Sequence, residues 1–340
     1  MNFRKNKKKP SKKITMAKPV DLKGKHMIVT GAAPGSLGYE TAKQLLLWGA
    51  SVVITTRNDT QDVAATLKQE LGLPADKVSL GSHTLDLANT ASVQNFVSWY
   101  TANYGSRLDA LINNAGIHLD LLSKWKEPRL TEDGHEMHWR INHLGTAHLT
   151  DELLPLLRKT GREHGEARIV NVVSQLHSRG NNTLLFNPDR PYESWQAYGL
   201  SKLATMHFSN ELHRRFNATD NIKSYSLHPA LKSGATSNIA KRGLEEQPFL
   251  KWLLTISSRL GEAFMASTRE GAQTQLHCAT DKEAEGGHYY VNCLIAPVSS
   301  DANDKEAARR LWEQTNRWLR DSGLQGKEVS NKEGEHVLEV

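Results

Sequence analysis

Apolar positions along the chain follow two alternating rhythms. Short runs rich in β-branched and aromatic residues recur at "HMIVT" (26–30), "SVVITT" (51–56), "KVSL" (77–80), "LDALIN" (108–113), "ARIVNVV" (167–173), "IKSYSLH" (222–228) and "HYYVN" (288–292). Between most of them lie helical segments of one or two dozen residues, such as "GYETAKQLLLWG" and "TASVQNFVSWYTANYG". Strands that alternate with helices in this way predict a parallel sheet covered on both faces, joined by right-handed crossovers. No internal repeat and no linker-like stretch divides the middle of the chain. The expectation is therefore one α/β domain with a sheet of about seven strands.

The 340 residues are 38% hydrophobic, enough to bury a large core. The net charge of +6 changes this picture only at the N-terminus. Residues 1–18 carry Arg4, Lys5, Lys7, Lys8, Lys9, Lys12, Lys13 and Lys18 and no acid, which leaves the rest of the chain at −2. Residues 1–20 are accordingly expected to be a basic disordered tail, read either as a solvated leader or as an arm for an anionic surface. No basic helix interleaved with aromatics suggests a nucleic-acid partner. No apolar run is long enough for a bilayer, and the first residues lack the apolar stretch of a secretory signal. Two cysteines, Cys278 and Cys293, without a CxxC pairing make a zinc site or disulfide framework improbable, so a cytoplasmic setting is expected. The domain should span 21–322, followed by a polar tail at 323–340.

The first strand runs into "TGAAPGSLGYETAKQLL". Gly31, Gly35 and Gly38 let the backbone approach a pyrophosphate, and Ser36 and Leu37 lie where the next helix opens with free N–H groups. That order of strand, glycine turn and helix predicts a Rossmann-type, doubly wound dinucleotide fold. The second strand ends "ITTRN", with neutral Thr56 and cationic Arg57. A carboxylate there would repel a 2′-phosphate, whereas a guanidinium pairs with it, so NADP(H) is favoured over NAD(H).

The stretch "QAYGLSKLATMHF" sets Tyr198 and Lys202 four residues apart, on one helix face. An ammonium about 5 Å from a phenol, at an effective dielectric of about 20, favours the phenolate by roughly 3 kcal/mol, or about two pKa units. The pair suits proton transfer. It is also what a snorkelling Lys beside a core Tyr would give.

The ordered stretches "TGAAPGSLG", "NNAG" (113–116), "NHLG" (142–145), "RIVNVVS" (168–174) and "YGLSK" (198–202) decide between these readings. Together they resemble the short-chain dehydrogenase/reductase family over roughly residues 22–295, and "RINHLGTAHLT", "LHPA" and "EGAQTQLHCAT" are similar to its retinol-dehydrogenase and WW-domain-oxidoreductase branch. The resemblance implies an oxidoreductase acting on a carbonyl/alcohol pair. In that role Tyr198 is the proton donor or acceptor, Lys202 lowers its pKa and holds the nicotinamide ribose, Ser174 holds the substrate oxygen and Asn142 holds a water linked to Lys202. It further implies that Asp86 and Leu87 border the adenine, that Asn113, Ala115 and Gly116 line the cofactor floor, and that Pro229 passes the nicotinamide amide. A homo-oligomer is implied as well. The rival class is a non-catalytic dinucleotide-binding regulator of the same fold, whose signature would be a missing Tyr, Lys, Ser or Asn. A sugar-nucleotide epimerase or dehydratase is disfavoured by "NNAG" and "NHLG".

Two departures from the family pattern stand out. The glycine loop is one residue longer than TGxxxGxG, which leaves open which glycine takes the second role. After the sixth strand Pro229 is followed by Ala230, and the nicotinamide-contacting hydroxyl is either Ser233 or Thr236. "PFLKWLLTISSRLG" (248–261) carries Phe249, Trp252, Leu253, Ile256 and Leu260 near helical spacing. It is read as part of a lid, about 231–262, over a fairly apolar substrate, with ordinary amphipathic packing as the alternative. His135, His138 and His143 do not form HExxH, so no metal is expected. His177 either edges the substrate pocket or is a plain loop residue.

Overall fold

A computed structural model describes residues 14–58, 60–74, 77–118, 127–229 and 268–324. Most of the expected basic tail, the expected lid and nearly all of the polar C-terminal tail lie outside the described residues, as do Ser233 and Thr236. Eight strands form a single sheet in the order β3-β2-β1-β4-β5-β6-β7-β8. They are β1 (His26–Thr30), β2 (Ser51–Thr56), β3 (Leu80–Thr84), β4 (Ala110–Asn113), β5 (Ala167–Val172), β6 (Ile222–His228), β7 (Tyr289–Val291) and β8 (Leu294–Ile295). The first seven pair in parallel, and β8 alone runs antiparallel to β7. The order reverses between β1 and β4, the switch point at which a doubly wound sheet opens a crevice beyond its strand ends.

Strand alternation explains the two covered faces. On β1, Met27 and Val29 join a core with Leu45 and Leu46 of helix α1 (Leu37–Leu47), and Ile28 faces the other core with Phe96, Leu149 and Leu153. Phe96 belongs to α3 (Thr90–Tyr104) and the two leucines to α4 (Thr146–His164). Helix α2 (Thr60–Leu71) follows β2, and α7 (Gln273–Thr280) lies on the first face through Leu276 and Cys278. A third cluster joins Val173 to Leu200 and Leu203 of α6 (Ser194–Asp220) and to Leu311 of α8 (Lys305–Asp321), beside the short turn α5 (Asn182–Leu185).

Two elements differ from the sequence expectation. The third strand is "LGSHT" rather than "KVSL", because the edge position at β2 demands ladder hydrogen bonds and not apolar side chains on both faces. Strand β8 is set by a hairpin: Asn292 and Cys293 hold φ of 54° and 61°, the paired left-handed geometry of a tight two-residue turn. Both cysteines are free and buried. No helix among the described residues is long and apolar enough to cross a membrane.

Candidate active site

The glycine-rich turn leaves the C-terminal end of β1 at the switch point. Gly31 and Gly35 both take φ of 70°, the left-handed region that side chains resist. Ser36 absorbs the extra residue of the loop. Its hydroxyl donates to the Gly31 carbonyl (3.1 Å) and accepts from the Tyr39 amide (3.1 Å), so it caps α1, whose first residue is Leu37. Gly38 is the close-packing position: a Cβ there would stand 2.5 Å from Asn114 Nδ2 and 2.9 Å from the Gly31 carbonyl. The lengthened turn is therefore compact.

Beside it, Ala33, Pro34, Thr56, Arg57, Asn58, Asp62, Val63 and Thr66 line a cleft of about 440 Å³. Arg57 is exposed there, while Thr56 turns inward to Thr60 (2.7 Å) and the Asn58 carbonyl (2.5 Å). Asp86 folds onto the backbone after β3, accepting from the Ala88 amide (2.9 Å), and the Leu87 carbonyl accepts from Arg140 (2.7 Å). Asn113 braces the sheet by donating to Asn171 (3.0 Å) and Thr150 (3.1 Å). The Ala115 amide donates to Thr30 Oγ1 at 2.9 Å. Gly116 gives room to two predicted site residues, since a Cβ there would lie 3.1 Å from both Asn142 Oδ1 and Lys202 Nζ.

Asn142 lies in a π-helical stretch, Trp139–Gly145, that leads into α4. The widened turn is a local distortion of the kind that sites use to aim a side chain. The Asn142 amide pairs reciprocally with Ile117, accepting from its N–H (2.8 Å) and donating to its carbonyl (2.9 Å), and also donates to Ser201 Oγ (3.1 Å). Ser174 lies two residues past β5 and caps the turn Gln175–Arg179, accepting from the Leu176 amide at 3.2 Å. Tyr198 and Lys202 project from the buried side of α6. The Tyr198 hydroxyl hydrogen-bonds Ser174, and Lys202 Nζ donates to the Val172 carbonyl (3.0 Å), 5.7 Å from the centre of the Tyr198 ring.

The electrostatics differ from the sequence expectation in one respect. Burial pushes Tyr198 up to about 12, opposed by its hydrogen bond with Ser174. Burial likewise lowers Lys202 to about 8. Desolvation outweighs the hydrogen bond with Ser174, so the phenol in this structure is a weaker acid than a free tyrosine. Pro229 is buried just past the end of β6. His177 packs behind Ser174, its Nδ1 2.7 Å from the Ser174 carbonyl, and meets Tyr289 edge-on. Among the described residues no His, Cys, Asp and Glu cluster could hold a metal ion.

Residues 25–242 match the short chain dehydrogenase family. The chain belongs to that family. Among its relatives are retinol dehydrogenase 12 of Mus musculus, 35% identical over 298 residues, and retinol dehydrogenase 11 of Homo sapiens, 34% identical over 297; both alignments cover 86% of this chain and 85% of the relative. WW domain-containing oxidoreductase of Gallus gallus is 35% identical over 314 residues, covering 88% of this chain and 69% of the relative. Among solved structures, an uncharacterized Mycobacterium paratuberculosis protein superposes with a TM-score of 0.66 at 27% identity, over 90% of this chain and 97% of that one. Dependence on NAD(P) is general to short chain dehydrogenases.

Two features of this short chain dehydrogenase were not singled out from the sequence. Asn114, the second Asn of "NNAG", ties the end of β4 to the glycine turn by donating to the carbonyls of Thr30 (2.8 Å) and Gly31 (3.2 Å) and accepting from Gln275 (3.1 Å). Its place beside Asn113 in the motif was the available signal. His118 stacks on the Tyr198 ring, and no local pattern in the sequence announces it.

Proposed function

We propose that this protein transfers a hydride between NADP(H) and a carbonyl/alcohol pair on a fairly apolar substrate. The observation that carries the reading is the convergence of Ser174, Tyr198, Lys202 and Asn142 from the turn after β5, from α6 and from the entry to α4, beside the glycine turn at the switch point. The cradle fits a dinucleotide, because its bare glycine backbone and the helix N-terminus that follows it suit a pyrophosphate. Arg57 in the adjoining cleft suits a 2′-phosphate, although Asp62 lines the same cleft.

NADP(H), when bound, supplies or accepts the hydride. The chain's own residues place and protonate the substrate. In reduction, the Ser174 hydroxyl donates to the substrate oxygen and Tyr198 gives it a proton as charge develops. The raised pKa keeps Tyr198 protonated at neutral pH, the form a general acid needs. Lys202, still largely cationic below about pH 8, stabilises the phenolate left behind. Oxidation runs the same transfer in reverse. Arg57 and Asn58 would hold the adenosine phosphate, Asp86 and Leu87 would border the adenine, and Pro229 would pass the nicotinamide amide. The names of the retinol dehydrogenase relatives support an apolar alcohol or aldehyde as substrate. A non-catalytic dinucleotide-binding regulator has no use for an ammonium buried beside a buried phenol.

The test is turnover of purified protein with NADPH and a panel of aldehydes and ketones, followed by loss of nicotinamide absorbance. Tyr198→Phe should abolish turnover and leave NADPH affinity within about twofold. Parent-like turnover by that variant would overturn the reading.

A further inference from the structure

The Tyr198 ring packs against two imidazoles, one of them backed by an indole. His118 lies flat on it, with ring centres 4.0 Å apart and planes 15° apart. Trp195, one turn earlier on α6, meets His118 edge-on at 4.7 Å and 83°. His138 meets the edges of both, 6.0 Å from Tyr198 at 76° and 6.0 Å from His118 at 63°. His118 and His138 are both buried. Offset stacking and edge contacts are the two arrangements that the charge distribution of aromatic rings favours, so each pair restricts how its partner tilts.

Each jaw is itself anchored. His118 follows Ile117, whose backbone is paired on both sides by the Asn142 amide at 2.8 and 2.9 Å. The same amide donates to Ser201 Oγ (3.1 Å), and that hydroxyl donates to the Tyr198 carbonyl (2.8 Å). Asn142 thus ties the loop that carries His118 to the helix that carries Tyr198. His138 is fixed by Glu136: Nδ1 sits 2.7 Å from Oε1, and Oε2 accepts from the Trp139 amide at 2.8 Å. Trp195 is backed by the Arg179 guanidinium, 5.3 Å from its ring centre.

We propose that His118 is a positioning residue for the reacting phenol, the flat jaw of an aromatic clamp with His138 and Trp195 that holds the Tyr198 hydroxyl against Ser174. The proposal rests on Tyr198 being the proton donor. Its physical content is orientation. A proton donor displaced by about 1 Å from a reacting oxygen costs on the order of a hundredfold in rate, and a ring free to swing about its Cα–Cβ bond carries its hydroxyl through that range. The clamp acts through shape, so a phenyl ring at position 118 serves as well as an imidazole, and a methyl does not.

The experiment compares His118→Ala and His118→Phe in the full chain by two readouts. The first is the kcat and KM split for carbonyl reduction, with NADPH affinity measured separately. His118→Ala should lower kcat by tenfold or more with NADPH affinity within about twofold of the parent, and His118→Phe should recover kcat to within about threefold. The second readout needs no turnover. It is the fluorine NMR spectrum of protein labelled with 3-fluorotyrosine, with the Tyr198 line assigned as the one missing from Tyr198→Phe. That line should move and narrow in His118→Ala, as the stacked ring's shift and restraint are lost, and should stay near its parent position in His118→Phe. An unmoved line in His118→Ala overturns the clamp even if the parent shows no turnover. Inactivity of the parent on every carbonyl would instead count against the proposed function alone. With an active parent, unchanged kcat in His118→Ala, or a His118→Phe variant as slow as His118→Ala, also overturns the positioning role.

Discussion

Lys202 offers the sharpest test of the proposed chemistry, because burial has brought its pKa to about 8, inside the range of an ordinary assay. Its ammonium lies 5.7 Å from the centre of the Tyr198 ring. At an effective dielectric of about 20, a full negative charge at that distance is stabilised by about 3 kcal/mol, or about a hundredfold in rate if it develops fully in the transition state. Tyr198, pushed up to about 12, keeps its own proton through neutral and mildly alkaline pH. The parent's kcat/KM for carbonyl reduction should therefore fall as pH rises through about 8, reporting loss of the Lys202 proton. Lys202→Met keeps the stem and removes the charge. It should run about a hundredfold slower below pH 8 and show no fall there. Stability supplies a control of opposite sign. The unfolded lysine titrates near the ordinary value of 10.5, so between about 8 and 10.5 the unfolded chain binds more protons and stability rises with pH. Below pH 8 the buried cation costs the fold at most about 3 kcal/mol, less whatever its bond to the Val172 carbonyl returns. The variant should accordingly melt no lower than the parent at neutral pH while losing activity. A variant whose profile still falls near pH 8, or whose rate stays within about threefold of the parent, would refute the assignment.

Arg57→Ala should weaken NADPH binding by about ten- to a hundredfold, the loss of a charge-assisted bond to phosphate, and leave NADH binding unchanged; fluorescence titration with both dinucleotides checks this, and a parent that prefers NADH with an affinity untouched by the substitution would remove Arg57 from the cofactor site. Acid should unfold the protein early. Burial lowers His143 to about 3 and His207 and His228 to about 4, so all three are neutral when folded and their contribution, complete above about pH 6.5, is lost as pH falls toward 4. At pH 5 the loss is about 2 kcal/mol for each, and His207→Gln, which can still donate to Asn182 Oδ1, should flatten the pH dependence of the urea midpoint by about one such step. An equal slope in parent and variant would show that His207 does not titrate on unfolding.

Much of the fold was legible because its signals are local. The runs at 26–30, 51–56 and 222–228 are strands with those bounds, and four more lie within or overlapping their predicted runs. The edge strand β3 slipped because one-sided pairing tolerates the polar "GSHT", and β8 was missed because two residues after a turn carry no periodicity. At the site, Ser36 showed how a turn one residue too long still closes, through a hydroxyl that bonds backward and caps forward.

The order of strands and helices, the bare backbone of the glycine turn and the placing of Tyr198 and Lys202 on one helical face followed from the sequence alone, since short-range sterics and a period of 3.6 set them. Only the folded chain decided that burial raises the Tyr198 pKa, that the Asn142 amide grips the backbone of Ile117, and that His118 lies flat on the phenol. Those depend on which distant segments the sheet brings together and how much water they exclude, and no local pattern encodes either.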